Sequence, residues 1–105
     1  MAIHGNISFS GINVQESYVR IMAVDCRLGY ALNENNEYDK IIRFDYTYAI
    51  YADAENARLN PAEPVKTVAR NIFSLKNHDG AIDTWSLAYK HLKEQTDFIN
   101  FLDIL

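Results

Sequence analysis

Three histidines are the side chains best suited to acid–base chemistry in this sequence, and their spacing decides what they can do. His4 lies near the start of the chain, His78 directly precedes Asp79, and His91 lies in a segment with helical periodicity. A His–Asp pair can orient a general base, but adjacent residues between a strand and a helix are more typical of a turn. No two histidines have the HxH or HxxxH spacing of metal ligands. We therefore predict neither a histidine-based catalytic site nor a metal site.

The other reactive side chains do not form a recognisable catalytic group either. The single cysteine, Cys26, has Met22 and Val24 at strand spacing, which favours a buried, inert thiol. Asp45 and Asp53 are eight residues apart, about 26 Å along a regular strand, which is too far for two carboxylates acting on one glycosidic bond. The four glycines do not form a phosphate-binding loop pattern. We expect a protein that is not an enzyme and binds no cofactor.

Length and charge restrict the class of protein. The 105 residues fit one domain, residues 1–105, and a hydrophobic content of 49% is typical of a folded chain. The net charge of -4, with Lys and Arg scattered among acids, argues against nucleic-acid binding, which needs a basic surface. The N-terminus lacks the pattern of a signal peptide, and no apolar segment reaches the ~20 residues of a membrane-spanning helix. We expect synthesis in a cytoplasm, with no membrane and no nucleic-acid partner.

Period-two patterns of β-branched and aromatic residues predict that strands position most of these side chains. The predicted strands are a short one at residues 6–10 and three longer ones at residues 17–28, 40–53 and 65–75. Residues 29–39 are rich in Asn, Glu and Asp, which predicts a loop that joins the second and third strands as an antiparallel hairpin. Pro61 and Pro64 predict another loop at residues 54–64.

The C-terminal quarter changes to helical periodicity. Trp85, Ala88, Tyr89 and Leu92 share one helix face, and Asp83 or Thr84 can cap the first turn. The apolar segment FINFLDIL then ends the sequence. The predicted fold class is α+β: an antiparallel sheet of about four strands, with one C-terminal α-helix packed on it and an apolar C-terminal tail.

The aromatic segment IIRFDYTYAIYAD, residues 41–53, indicates what each face of the sheet contacts. Successive side chains of a strand point to opposite faces. We expect the rings on one face to form a floor under the helix, against Trp85, Tyr89 and Leu92; they are Phe44, Tyr46 and Tyr48. We expect the other face, with Arg43, Thr47 and an exposed Tyr51, to be available for contacts with another subunit.

The same alternation assigns the faces of the two neighbouring strands. In the second strand it groups Val19, Ile21 and Ala23 with Asp25 and Arg27. In the last strand it groups Val68 with Ile72 and places Phe73 and Leu75 on the opposite face.

Four segments together resemble a family of small structural proteins of tailed phages. They are NVQESYVRI near the start, YAD at the end of the aromatic strand, NIFSL, and AYKHLKEQTDFIN. The matching residues are Tyr18, Val19, Arg20, Ile21, Tyr51, Ala52, Asp53, Ala88, Tyr89, Leu92, Lys93 and Phe98. The resemblance implies a virion-associated protein, made in the host cytoplasm, that contacts other virion proteins. It implies a place in the tail, baseplate or fibre-attachment region or on the capsid surface, and we expect a homo-oligomer.

Three functions remain open at this point. The first is a non-enzymatic virion subunit that acts through interfaces; the candidate interface residues are Arg43, Thr47, Tyr51, Phe98, Phe101, Leu102 and Leu105. The second is a small ligand-binding domain or enzyme with a pocket between sheet and helix, lined by Tyr46, Tyr48, Trp85 and Tyr89. The third is an inhibitor that adds a strand to its target. On the first interpretation, deletion of residues 98–105 abolishes assembly and leaves the β-structure intact.

Overall fold

An antiparallel five-stranded sheet dominates the computed structural model, which describes residues 1–104. The elements in chain order are β1 (Ala2–Phe9), β2 (Ile12–Leu32), β3 (Tyr38–Tyr51), α1 (Ala54–Leu59), β4 (Lys66–Lys76), α2 (Thr84–Lys93), a 3₁₀ turn (Thr96–Phe98) and β5 (Leu102–Ile104). The strands lie in the order β4-β3-β2-β1-β5. The α+β class and the antiparallel sheet are therefore confirmed, with five strands and a second, short helix.

The β2–β3 hairpin is longer than the sequence predicted. β2 continues to Leu32, so the connecting loop contains only residues 33–37 and not residues 29–39. Within it, the Asn33 side chain accepts hydrogen bonds from the backbone N–H groups of Asn35 and Glu37, at 2.9 and 3.1 Å. These hydrogen bonds within the loop take the place of strand pairing and form a turn that is shorter than predicted.

A helix also forms where the prolines predicted only a loop. Asp53 caps α1 by accepting a hydrogen bond from the Asn56 N–H at 2.7 Å. The helix ends at Leu59, two residues before Pro61. The prolines thus limit the helix to six residues and do not prevent it.

Two bulges change which residues share a face. In β2 the extra residue is Met22, because Ile21 pairs with Tyr48 while Ala23 pairs with Thr47. Each bulge reverses the alternation that follows it. Asp25 and Arg27 therefore lie on the face opposite Val19 and Ile21, and the predicted grouping of these four residues is wrong.

The second bulge lies in β4, near Arg70. Tyr46 pairs with Asn71 but Tyr48 pairs with Val68, and Arg70 has the left-handed φ of 63°. Ile72 consequently lies on the face opposite Val68, contrary to the sequence prediction. Phe73 and Leu75 follow the bulge together and do share one face, as predicted.

The main core lies between the sheet and α2. Tyr46, Tyr48, Ala88, Tyr89 and Leu92 are buried in it, as predicted, whereas Trp85 is exposed at the start of the helix. The Tyr89 hydroxyl accepts a hydrogen bond from the Ile21 N–H at 2.9 Å and donates one to the Met1 carbonyl at 2.7 Å. This one side chain joins α2 to β2 and to the start of the chain.

The C-terminal tail belongs to this core and is not a free segment. Phe98 is 2% exposed and Phe101 is 5% exposed, and their rings pack edge to face with centroids 5.0 Å apart. β5 pairs with β1, Ala2 opposite Ile104. The prediction that Phe98 and Phe101 form a docking surface therefore conflicts with their burial. Leu102 is exposed on β5, and Leu105 lies outside the described residues.

Candidate functional site

The sheet extends well beyond its helices. β1 pairs with β2 only as far as Val19, while β2 pairs with β3 along its whole remaining length. The protein is therefore elongated, with principal extents of 51 × 26 × 21 Å. We call the three-stranded end the distal sheet; it consists of residues 23–32, 38–47 and 70–76. It carries three distinct surface features.

The first feature is an apolar row on the helix side of the distal sheet. Its members are 58–74% exposed, and they are Leu28, Tyr30, Leu32 and Tyr38. Leu32 and Tyr38 are directly paired across the hairpin. Single exposed apolar residues are ordinary, but an aligned group of this kind is typical of a protein contact surface.

The second feature is a charged face on the opposite side, which we call the open face. Here Asp25 pairs with Asp45, and Arg27 pairs with Arg43. Like charges directly opposite each other in a sheet are destabilising, so the chain on its own leaves these pairs unfavourable. A cavity of about 410 Å³ lies over this face and is also lined by Arg70. The open face thus presents an acidic row beside a basic row.

Asp45 is the residue of this face that most clearly lacks a hydrogen-bond partner. Its Oδ1 atom is inaccessible to water and has no hydrogen-bond partner among the described residues. The nearest cation, the Arg43 guanidinium, is 3.8 Å away at Nη2. Buried carboxylate oxygens without hydrogen bonds are rare in folded proteins, so Asp45 adds an unsatisfied acceptor to the like-charge pair that it forms with Asp25.

The third feature is the edge of β2, residues 23–32, which we call the free edge. No strand of the described chain pairs with this side of β2 after Val19. Unpaired strand edges expose backbone N–H and C=O groups that readily pair with another chain. Cys26 is exposed on this edge, so the prediction of a buried thiol is wrong. The side chains of Leu28 and Tyr30 are exposed as well, which leaves the edge open to solvent.

Arg43 and Thr47 lie on the open face as predicted, but Tyr51 does not belong to an exposed surface. Tyr51 is 1% exposed because α1 covers this end of the sheet and packs Ala57 near it. Its hydroxyl donates a hydrogen bond to the Pro61 carbonyl at 2.6 Å. The prediction of an exposed Tyr51 is wrong, because the six-residue helix was not expected.

Sequence reasoning missed the contribution of β2 and β4 to the open face, namely Asp25, Arg27 and Arg70. A signal was present: DCR at residues 25–27 is the charge mirror of RFD at residues 43–45. In an antiparallel hairpin such a mirror places like charges opposite each other if the two segments pair in register. The Met22 bulge sets that register, and the sequence pattern does not indicate the bulge.

The pocket proposed between sheet and helix is filled by side chains. The Tyr46 and Tyr48 rings pack at 6.4 Å, and Tyr48 meets Phe98 at 5.4 Å between centroids. Of the residues predicted to line it, Tyr46, Tyr48 and Tyr89 are buried in the core. The space that a ligand would occupy there is therefore taken by the chain itself.

The histidines do not come together. His91 shares a hydrogen bond of 2.7 Å between its Nδ1 and the Tyr46 hydroxyl, and its ring stacks on Phe73 at 4.8 Å. His78 and Asp79 lie in the connection after β4, where the Asp79 carboxylate is 3.4 Å from the Lys40 ammonium. Within residues 1–104, no three His, Cys, Asp or Glu side chains are close enough together to hold a metal ion.

His91 should make stability depend on pH near neutrality. Burial lowers the pKa of His91 below its ordinary value of 6.5, against a smaller opposing effect of Glu94. The unfolded chain then binds more protons than the folded chain just below pH 6.5, so stability is present above that pH and lost as the pH falls. We expect urea unfolding midpoints to decrease from pH 8 to pH 5.5.

The variant His91→Gln tests the origin of this dependence. It should flatten the decrease, because glutamine does not titrate. Hydrogen bonds lower the pKa values of two carboxylates: Asn77 donates to Asp39, and the Ser86 N–H donates to Asp83. Protonation of these two carboxylates therefore lowers the stability of the protein only at pH values below the range of this experiment. An unchanged slope in His91→Gln would show that another group is responsible.

No described helix is long and apolar enough to cross a membrane. Comparisons with known protein families, with characterised proteins and with solved structures found no match. The three surface features of the distal sheet are therefore the structural observations that bear on function.

Proposed function

We propose that this protein is a non-enzymatic structural subunit of a tailed-phage virion, acting through contacts of its distal sheet with other virion proteins. The observation that carries the proposal is the distal sheet itself, which combines a free strand edge with the apolar row Leu28, Tyr30, Leu32 and Tyr38. The sequence resemblance supplies the kind of assembly, and the tail, baseplate or fibre-attachment region is the location that we propose.

The apolar row supports a protein partner. Covering an apolar side chain of this size contributes roughly 1.5–3 kcal/mol, and the four side chains stand together on one side of the hairpin. A thin helix layer leaves them uncovered, since α2 lies over the proximal half of the sheet, near Ile21 and Tyr48. A partner that covers the row therefore gains binding energy without any rearrangement of the core.

The charges of the open face also suit a protein surface better than a polyanion. Arg27, Arg43 and Arg70 line this face together with Asp25 and Asp45, and the chain carries -4 overall. Phosphate backbones require a continuous basic surface. A partner with a basic row beside an acidic row matches this face.

Incorporation into particles tests the proposal. Gradient-purified virions of the phage that encodes the chain should contain it, as measured by quantitative mass spectrometry. The double variant Leu28→Lys/Tyr30→Lys should be incorporated at least about tenfold less, because 1.4 kcal/mol corresponds to a factor of ten in affinity and two apolar contacts are lost.

A matched pair of exposed apolar residues away from the distal sheet provides the control. Leu59 and Ile99 are 57% and 66% exposed, and Leu59→Lys/Ile99→Lys should leave incorporation unchanged. Absence of the wild-type chain from purified particles would contradict the proposal. Equal incorporation of both double variants would remove the apolar row from the interface.

A further inference from the structure

We propose that two copies of this chain join edge to edge along β2, as an antiparallel strand pair centred on Cys26. The inference names a partner for the distal sheet and so rests on the proposed function, although its test is independent of particles. The paired segment is residues 23–29 of each copy. The result is a continuous six-stranded sheet that runs β4-β3-β2 in one copy and β2-β3-β4 in the other.

The position of the free edge limits where a second copy can pair. β1 occupies this side of β2 up to Val19, and the Tyr89 hydroxyl takes the N–H of Ile21. Met22 is the bulge residue and interrupts regular pairing. Regular strand geometry with an unpaired side therefore begins at Ala23.

Charge determines the register within that segment. In a two-fold antiparallel pair centred on Cys26, Asp25 lies directly opposite Arg27 of the second copy, and Arg27 lies opposite Asp25 of the second copy. Opposite charges at directly paired positions stabilise a sheet. Both charged residues of the segment are thus matched at once.

The neighbouring registers that keep side chains on their faces are unfavourable. A pair centred on residue 25 places Asp25 opposite Asp25 of the second copy. A pair centred on residue 27 places Arg27 opposite Arg27 of the second copy. Like charges directly opposite each other oppose pairing, so charge alone selects Cys26 among these three centres.

The same register resolves the unfavourable pairs inside each chain. Asp25 faces Asp45 on one side and gains Arg27 of the second copy on the other. Arg27 likewise faces Arg43 within the chain and gains Asp25 of the second copy. Each row of the open face then runs from two acidic side chains in one copy to two basic side chains in the other.

The apolar side agrees with this register. Val24 lies opposite Leu28 of the second copy, and Cys26 lies opposite Cys26 of the second copy. The exposed Leu28 and Tyr30 of each chain then form one apolar band across the dimer. Gly29, which is opposite Ala23, adds no side chain that would hinder the end of the pair.

Two charge reversals test the register by size-exclusion chromatography with light scattering. Wild-type protein should have twice the chain mass of 12.1 kDa. Arg27→Asp and Asp25→Arg should each be monomeric, because each places like charges opposite one another twice. An equimolar mixture of the two variants should recover the dimer, because every junction pair then joins opposite charges.

Loss of folding does not explain the expected monomers. Arg27→Asp places an acid opposite Arg43 within the chain, and Asp25→Arg places a base opposite Asp45. Both changes replace an unfavourable intrachain pair with a favourable one. The monomeric variants should therefore retain wild-type thermal stability once dissociation of the wild-type dimer is taken into account.

Cross-linking through the native thiol tests the centre of the pair. Directly opposite residues in antiparallel strands have Cα atoms about 4.5 or 5.5 Å apart, within the range of about 4.4–6.8 Å that a disulfide spans. Copper–phenanthroline oxidation in air should cross-link wild-type protein and not Cys26→Ser. A thiol moved to residue 29 in Cys26→Ser/Gly29→Cys should not cross-link, although this position has open space for a side chain.

Three results would overturn the inference: a monomeric wild-type chain, a wild-type dimer unaffected by the charge reversals, or efficient cross-linking through residue 29. These results leave the proposed function standing if the chain is present in virions. A dimer of the expected register that is absent from virions gives the opposite outcome, in which the inference stands and the proposed function fails.

Discussion

Replacing Phe98 with alanine should lower the free energy of unfolding by about 3–5 kcal/mol, as expected for truncation of a buried phenylalanine. Phe98 packs edge to face against both Tyr48 and Phe101, so its removal leaves a cavity between the sheet and the 3₁₀ turn. A domain of this size is typically stable by about 5–15 kcal/mol. The variant should therefore lose a large share of its free energy of unfolding, as measured by urea unfolding at pH 7.5.

The adjacent residue is the matched control. Ile99 is 66% exposed, and Ile99→Ala should change stability by no more than about 0.5 kcal/mol. Deletion of residues 98–105 should unfold the chain, which is the reverse of the sequence-based expectation. Wild-type stability of Phe98→Ala would restore the interpretation of the tail as a docking segment.

Replacing Gly5 with alanine should cost about 1–3 kcal/mol, the usual range for an overpacked core. A Cβ atom at this position would lie 2.7 Å from Cδ1 of Phe101 and 2.9 Å from two further ring atoms. The ring has little room to move, because Phe98 packs on it. The expected observation is a lower thermal unfolding midpoint with unchanged circular dichroism at 20 °C.

A second substitution identifies the contact responsible. Phe101→Ala removes the three ring atoms that the added Cβ would meet, so Gly5→Ala should cost less in that background, and a double-mutant cycle should show coupling between the two positions. Gly29→Ala is the control, since no atom lies within 4 Å of the added Cβ. Equal costs of Gly5→Ala with and without the Phe101 ring would mean that the contact is not limiting.

The faces of β3 could be predicted from sequence because its alternation is uninterrupted. Phe44, Tyr46 and Tyr48 are all buried on the predicted side. The same rule fails after Met22 in β2 and after Arg70 in β4, because at each place a bulge shifts the alternation by one residue. No residue type marks either position, so the grouping of Asp25 and Arg27 on the open face depends on the paired structure.

The tail and Tyr51 were mispredicted for a different reason. Burial of Tyr51 depends on α1, which has only six residues and too few turns to show a helical period. Phe98 and Phe101 are three residues apart, a spacing that suits one turn of tight helix as well as an apolar tail. Their burial becomes evident only when β5 is seen to pair with β1.

Pairing of Ala2 with Ile104 has a consequence for the order in which the molecule folds. The β2–β3 hairpin joins residues that are close in sequence, so it can form early, whereas β1–β5 pairing must close a loop of almost the whole chain. The distal sheet can therefore be complete before residues 98–104 seal the core. We expect newly made chains to meet one another through finished distal sheets while their cores are still open, so dimerisation and folding can overlap in time.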